Sequence, residues 1–317
     1  MKLTNNFLLL PNSSLSVEKL LLDSGRSSEE AAQTIQATGI SNIRYSSSKM
    51  LTEFTFDSLS ALHQKHKETL KNIDAIIVVS QSYDQRSPSI STRIQRQLDL
   101  DASTFCIDIM DGCAGYIKAL ALASMLEKIG HHKVLVIAGD INSVMTSQAE
   151  IGTKVLFGDG LSVSILESDH HTLETRMFNN GDQQNCISCT IEKPLIMNGF
   201  EVFRFTQNVV PRLINTYIEE TGKSLQSYDL VGLHQASKMV VSTICTAIKY
   251  KNTLGNDFAC NDIGNLGAGS IGAWLSNISH LEGKGKKDML AVGFGAGLSW
   301  GLASLTVQLE RNEVIYV

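Results

Sequence analysis

A cysteine becomes a nucleophile where its setting favours the thiolate, and one cysteine of this chain stands in such a setting. Cys113 follows a short apolar strand predicted over residues 105–108 and a loop over 109–112, and it opens a helix predicted over 113–129. The positive end of that helix favours negative charge, so the thiol is expected one or more units below its reference value of about 8.5. Two further polar residues fall at comparable points: His234 directly follows a strand predicted over 229–233, and Asn265, in Gly264-Asn265, precedes a small-residue helix. Active sites of α/β folds gather where strands end and helices begin. Each residue alone has a structural reading, since cysteine is commonly buried, a histidine after a strand is commonly a satisfied polar side chain, and Gly-Asn commonly marks a turn. Their joint placement carries more weight than any one of them.

The three positions fall within a faint internal duplication. In the first half a helical stretch near 56–70 leads into an apolar strand at 74–79. The strand at 105–108, the helix from Cys113 and a strand at 133–138 ending in Gly139-Asp140 follow. The second half repeats the order with a helix at 209–221, the strand at 229–233, and a stretch at 258–261 in the place of 105–108. A Gly/Ala-rich helix at about 267–278 and a strand at 288–294 ending in Gly295-Ala296-Gly297 complete it. From Asp74 to Cys113 is 39 positions, and from Asp229 to Asn265 is 36. The repeat predicts that Cys113 and Asn265 face each other across a pseudo-twofold, with His234 near both.

Strands alternating with helices argue for two parallel-sheet α/β halves. The helix at 113–129 carries only Lys118, Glu127 and Lys128 as charges, and the one at 267–278 carries none. A helix apolar all round is buried on all sides. Gly267, Ala268, Gly269, Gly272 and Ala273 would let another helix approach closely. Two buried helices between two sheets, in an α-β-α-β-α sandwich of duplicated βαβαβ halves, fit this pattern. The first half spans 1–168, with a cap or insertion near 12–50, and bears Cys113. A connection spans 169–200, and the second half, 201–317, bears His234 and Asn265.

Composition excludes several classes. Apolar residues make up 43% and charged residues 19%, with a net charge of −5 and no basic stripe. These values describe a globular chain and give nucleic acid no footprint. The longest apolar runs, such as 75–79 and 134–138, are strand-length and too short for a membrane span, and the apolar start at 7–10 is too brief for an export signal before Pro11. A cytoplasmic protein is expected. Six scattered cysteines then argue against a disulfide framework. Cys186 and Cys189 have CxxC spacing, but no convincing second ligand pair accompanies them (His170-His171 lies upstream), and 186–192 alternates like a strand. They are read as strand cysteines, and no metal site is expected.

Several short motifs together resemble the β-ketoacyl-acyl-carrier-protein synthase III family. Asp111-Gly112-Cys113-Ala114-Gly115-Tyr116 looks like its nucleophile segment. Phe157-Gly158-Asp159-Gly160, Met197-Asn198-Gly199, Glu201-Val202-Phe203, His234-Gln235-Ala236, Gly264-Asn265 and the glycine-rich run at 293–301 resemble further signatures in the family's order. The resemblance covers nearly the whole chain, most loosely before about residue 70. It implies a thiolase-like fold, an acyl-enzyme on Cys113, and decarboxylative Claisen condensation with a malonyl carrier protein. It further implies that His234 and Asn265 hydrogen-bond the malonyl thioester carbonyl, and that the backbone N–H groups of Cys113 and Ala296 form an oxyanion hole. Phe157, Gly152 and Ser237 are implied as pantetheine or pocket residues, and Ser87 as a pocket residue reaching into a homodimer partner. Phosphopantetheine thioesters are the implied substrates, acyl carrier protein the partner, and no cofactor is bound permanently.

The departures are informative. The aromatic residue that stacks on the adenine of coenzyme A aligns roughly with Gln33, the arginine four positions later with Ala37, and another arginine of that nucleotide site with Ile151. The usual Asn after the histidine motif is Ser237, and a carrier-facing arginine falls at Met239, beside Lys238. Losing stacking and phosphate-pairing groups together favours an acyl group delivered on a carrier protein over free acyl-CoA. Ser87 replaces a bulky residue, leaving room for a longer or branched chain. A specialised lipid or polyketide-type pathway is expected. Acyl transfer to a hydroxyl or amine without condensation, and a non-catalytic partner subunit, are the alternatives; intact Asn265 disfavours the first and Cys113 the second.

Overall fold

The computed structural model describes residues 1–170, 173–251, 258–278 and 281–317. Its strands are β1 (Lys2–Leu10), β2 (Ser14–Ser16), β3 (Asn42–Arg44), β4 (Ala75–Ser80), β5 (Phe105–Met110), β6 (Lys133–Asp140), β7 (Gly160–Glu167), β8 (Glu174–Asn179), β9 (Ile187–Ser188), β10 (Ile196–Met197), β11 (Leu230–Leu233), β12 (Lys287–Gly295) and β13 (Ser299–Tyr316). The α-helices are α1 (Val17–Asp23), α2 (Ser28–Thr38), α3 (Leu51–His66), α4 (Ile90–Gln97), α5 (Gly115–Lys128), α6 (Ile151–Lys154), α7 (Gly199–Thr221), α8 (Lys238–Ala247) and α9 (Ser270–Ser276).

The strands pair in the order β11-β12-β13-β1-β7-β6-β4-β5, with β8 beside β13. The long β13 joins two arms: its first part is antiparallel to β12 and β8, and its later part runs parallel to β1, which is antiparallel to β7. Within the arms, β4, β5 and β6 are parallel, as are β11 and β12.

Alternating side chains assign each arm two buried faces. Ile77, Val79, Val136, Met289 and Ala291 face a central core that also holds Tyr116 and Leu120 of α5 and Ile271 and Trp274 of α9. Their neighbours Ile76, Val78 and Ile137 face α3 and α4 on the opposite side. Leu290, Val292 and Leu233 face α7 and α8. The order is therefore helices, sheet arm, α5 with α9, sheet arm, helices: the layered thiolase-like sandwich.

Four local expectations change. Residues 258–261 form no strand; Asn261 O instead accepts from Ser41 N and Asn42 N, so this stretch bonds to the cap rather than to a sheet edge. The small-residue helix begins as a 3-10 turn, Gly267–Gly269, before α9. Its glycines admit strands rather than a second helix: a Cβ on Gly269 would lie 2.8 Å from Ala138 O, and one on Gly272 would lie 2.4 Å from Ser162 Cβ. The stretch at 169–200 carries β8, paired with β13, as well as the small β9–β10 hairpin. Cys186 flanks β9 and Cys189 lies beyond it, both as free thiols. His171 lies outside the described residues, and no group of three or more His, Cys, Asp or Glu among the described residues is placed to hold a metal.

The segment near 12–50 folds as the antiparallel β2–β3 pair, with α1 and α2 between the two strands, over a small apolar cluster shared with Val155. Ser27 and Glu30 start α2 with reciprocal side-chain caps, and Gly39 ends it at φ +72°. A Cβ at Gly39 would sit 2.5 Å from Lys238 Cβ, so only glycine lets the end of α2 rest on the start of α8. That contact brings the cap to the rim of the cavity described next.

Candidate active site

The turn that bears Cys113 is held from three sides. Asp111 Oδ1 accepts from Gly112 N at 2.7 Å, and its other oxygen pairs with Lys118 on the first turns of α5. Gly115 N donates to Gly112 O at 2.7 Å. A Cβ at Gly115 would fall 2.4 Å from Val79 Cγ1, so glycine seats the helix start directly on β4. From the other arm, a Cβ on Gly295 would fall 2.6 Å from Cys113 Cβ and 3.3 Å from its Sγ. Two glycine approaches thus clamp the sulfur between the arms.

The helix does not begin at Cys113, as predicted, but at Gly115, with Cys113 and Ala114 in the preceding turn. The electrostatics also run opposite to expectation. Burial first, then the nearby charges of Asp140 and Asp111, push the thiol above its ordinary range. Dehydration of a thiolate outweighs the partial charge of a helix start two residues away. Cys113 nevertheless keeps some surface open to the cavity.

His234 extends the β11–β12 ladder by donating its N–H to Val292 O at 2.8 Å, which fixes the backbone where the strand ends. Its ring meets the Phe294 ring edge-to-face, with centroids 5.2 Å apart. The side chain is buried, Nδ1 has no hydrogen-bond partner, and burial lowers its pKa from 6.5 to about 3. At any physiological pH this imidazole is neutral, with one N–H to donate and one lone pair.

Asn265 sits on the junction between the halves. Its N donates to Leu156 O at 2.8 Å, and its O accepts from Gly158 N at 3.1 Å. Its side-chain Oδ1 accepts from Gly267 N at 3.0 Å and Ser270 Oγ at 2.9 Å. With the oxygen so occupied, the carboxamide presents its NH2.

Cys113, His234 and Asn265 line one predominantly apolar cavity of about 180 Å³. Phe157 and Ser237 line it too, and Ala37 and Thr38 bring the end of α2 to it. Ser87, Gly152 and Ala296 are not among its lining residues, although Gly295, the neighbour of Ala296, is. Ser87 is exposed on its loop, and Gly152 lies within α6. Gln33 is exposed and bonds Glu29 at 3.3 Å.

Two polar residues around the site carry no signal in the sequence. Ser270 orients Asn265 from the first turn of α9, and no local pattern marks it. Asp140 was visible only as the end of a strand. It is buried, with Oδ1 accepting from Ser80 Oγ, Gln81 N and Ser82 N, and Oδ2 without a partner. A Cβ on Gly267 would strike that Oδ2 at 2.1 Å, so glycine admits the carboxylate beneath the Asn265 loop.

The layered α-β-α-β-α sandwich is the thiolase-like fold, and in this chain cysteine, histidine and asparagine meet around one apolar cavity within it. The family model described as 3-oxoacyl-[acyl-carrier-protein (ACP)] synthase III matches residues 107–181, and its C-terminal counterpart matches 218–307. The chain belongs to the 3-oxoacyl-[acyl-carrier-protein] synthase III family, whose members are transferases. It is 29% identical to the β-ketoacyl-[acyl-carrier-protein] synthase III of Acholeplasma laidlawii over 255 residues, covering 79% of this chain and 81% of that one. It is 29% identical over 287 residues to β-ketoacyl-[acyl-carrier-protein] synthase III 2 of Bacillus subtilis, covering 84% and 87%. The crystal structure of 3-oxoacyl-(acyl-carrier protein) synthase from Burkholderia xenovorans shares the fold with a TM-score of 0.89 at 24% identity, covering 100% of this chain and 97% of that one. No helix among the described residues is long and apolar enough to cross a membrane.

Proposed function

We propose that Cys113 takes an acyl group from a carrier-protein thioester and that the acyl-enzyme is then condensed with malonyl carrier protein, in a specialised lipid or polyketide-type pathway. The observation that carries this reading is the convergence of Cys113, His234 and Asn265 on one cavity. In the first half-reaction Cys113 Sγ bonds the acyl carbon, the donor's C–S bond breaks, and the departing pantetheine thiol takes the proton. In the second, the malonyl carboxylate leaves as carbon dioxide, the enolate carbon bonds the acyl carbon, and Cys113 departs and regains a proton. Neutral His234 and the NH2 of Asn265 donate to the malonyl thioester oxygen as the enolate charge grows. The family resemblance assigns the acyl oxyanion to the backbone N–H groups of Cys113, which lines the cavity, and of Ala296, which follows the lining residue Gly295. Loss of one such donor costs about 3–4 kcal/mol of barrier, which fits an Asn265 held by two bonds.

The donor side favours a carrier protein over free coenzyme A: exposed Gln33 and small Ala37 give an adenine and its phosphates little to stack on or pair with. A homodimer fits the edge strand β5, whose Phe105, Ile107 and Ile109 are only partly buried and whose Met110 is 78% exposed. In that dimer the exposed Ser87 loop would reach the neighbouring subunit's cavity.

Intact-mass analysis after incubation with a panel of acyl carrier proteins tests the first step, with an adduct on Cys113 expected and none in Cys113→Ala. Turnover by Cys113→Ala would sink the proposal. Release of carbon dioxide from malonyl carrier protein separates condensation from simple acyl transfer: acyl-Cys113 without that release would establish transfer instead. Labelling by acyl-CoA as efficient as by acyl carrier protein would overturn the donor assignment.

A further inference from the structure

The helix α5 packs into the central core, and apart from Glu127 and Lys128 at its end it carries one charge, Lys118. A cation in such a place needs a partner. Lys118 Nζ pairs with Asp111 Oδ2, the lysine side chain being 27% exposed and the aspartate side chain 10%. That carboxylate stands two residues ahead of Cys113, and its other oxygen already accepts from Gly112 N. The pair therefore lies against the nucleophile's own turn, where little water screens it.

The same ammonium approaches Ser299 Oγ at 3.4 Å, and that hydroxyl donates to Asn179 Oδ1 at 2.7 Å. Ser299 opens β13 opposite Gly295, the last residue of β12, so its hydroxyl belongs to the turn that carries Ala296. A Cβ on Gly297 would lie 2.8 Å from Ser299 Oγ, which keeps the hydroxyl tucked against that turn. One residue back along α5, Ile117 rests on the same two strands. A Cβ on Gly293 would lie 2.8 Å from Ile117 Cγ1, and one on Gly301 would lie 3.3 Å from Ile117 Cγ2. Lys118 thus joins the Cys113 turn of the first half to the β12–β13 turn of the second.

Two carboxyl groups bear on Cys113, Asp111 from its own turn and Asp140 from the end of β6, and both oppose a thiolate. His234 is uncharged and offsets neither. Asp140 is held by neutral donors from Ser80, Gln81 and Ser82, whereas Asp111 has a cation.

Resting on the reading of Cys113 as the nucleophile, we propose that Lys118 is a positioning residue for acyl transfer. It cancels the charge of Asp111 beside the sulfur and, through Ser299, holds the turn of Cys113 at a fixed distance from that of Ala296. Those two turns carry the backbone N–H groups assigned to the acyl oxyanion, so their spacing decides whether both donors reach one oxygen.

Alkylation of Cys113 by iodoacetamide, followed at the Cys113 peptide by mass from neutral to mildly alkaline pH, reads the charge balance without turnover. Lys118→Met leaves Asp111 unpaired and is expected to slow alkylation about tenfold at each pH; Asp111→Asn leaves Lys118 unpaired and is expected to speed it about tenfold. The double variant Asp111→Asn, Lys118→Met, and Lys118→Arg alone, should both return to the wild-type profile. Single variants that leave the profile unchanged, or displace it in the same direction, would overturn the proposal, since damage to packing alone has no reason to give opposite signs. Single-turnover acylation by an acyl carrier thioester reads the spacing. Ser299→Ala keeps the ion pair, so it should alkylate like the wild type yet acylate about tenfold more slowly. Wild-type acylation by Ser299→Ala would overturn the tie between the turns. A wild-type protein that alkylates as described but is never acylated would sink the synthase reading, and the positioning role with it, while the charge balance at Cys113 would stand.

Discussion

Gly295→Ala is the sharpest probe of the clamp on Cys113. The added methyl would stand 2.6 Å from Cys113 Cβ, whereas ordinary contact begins near 3.4 Å, so a gap of nearly 1 Å has to open. Gly295 is the last residue of β12 and is paired across to Ser299 of β13, while the β11 ladder on the other side of β12 ends at Val292. The turn of Cys113 is the lighter element, yet it is backed by the Gly115–Val79 contact and by Gly293, whose own Cβ would lie 3.2 Å from Ala114 Cα. The displacement therefore falls on the nucleophile and carries its sulfur away from His234 and Asn265. A misplacement of about 1 Å costs roughly 100-fold in rate, or about 3 kcal/mol of barrier. Overpacking costs about 1–3 kcal/mol of stability, which a protein of this size survives. The assay is single-turnover acylation of Cys113 by an acyl carrier thioester, quenched and read by mass, beside thermal unfolding. Gly181→Ala, where the new methyl meets nothing within 4 Å, is the control and should match the wild type in both. A Gly295→Ala protein acylated within about threefold of the wild-type rate would refute the idea that this contact sets the sulfur's position.

Three further expectations follow from the same geometry. His234 stays neutral to about pH 3 in the folded protein but protonates near 6.5 when unfolded, so the unfolded chain binds the extra proton and stability falls as pH drops from 6.5 toward 3. That contributes a loss of about 1.6 kcal/mol between pH 6.5 and 5, measurable by urea unfolding, and His234→Gln should remove it; an equal pH slope in the variant would contradict the assignment. Ser270→Ala removes one of the two donors to Asn265 Oδ1 and should slow carbon dioxide release about tenfold while leaving Cys113 acylation unchanged, an effect of about 1–2 kcal/mol from a buried hydrogen bond. Equal loss in both steps would mean that Ser270 supports the whole site rather than Asn265. The raised Cys113 thiol predicts that its alkylation by iodoacetamide keeps accelerating above about pH 8.5, whereas a plateau near neutrality would show a thiolate favoured by the helix start after all.

The local settings of the three site residues were legible because each depends on its own flanks. His234 follows a strand whose apolar sequence announces it, and Asn265 and Cys113 occupy matching places ahead of helices whose lack of charge marks them as buried. The alternation of β4 and β12 and the two central helices likewise follow from the chain itself. What was not legible depends on partners distant in sequence. Residues 258–261 look like a strand because Phe258 and Cys260 are apolar, but Cys260 is buried beside Leu8 and Leu10 of β1, and Phe258 packs under the cap. β8 was hidden by the opposite effect: its polar residues are satisfied by other elements, with Glu174 accepting from Tyr217 Oη at 2.8 Å and Arg176 5.7 Å from that same ring.

The direction of the Cys113 shift illustrates why local reading fails where chemistry is concerned. A helix start is visible in sequence, and its partial charge favours a thiolate; the depth at which that start is buried, and the two carboxyl groups near it, belong to the fold. Burial wins because it acts on the full charge of the anion, while the dipole supplies only about half a charge from a helix that begins two residues later. The same burial keeps His234 neutral. A site so arranged favours a protonated sulfur and an uncharged imidazole in the free protein.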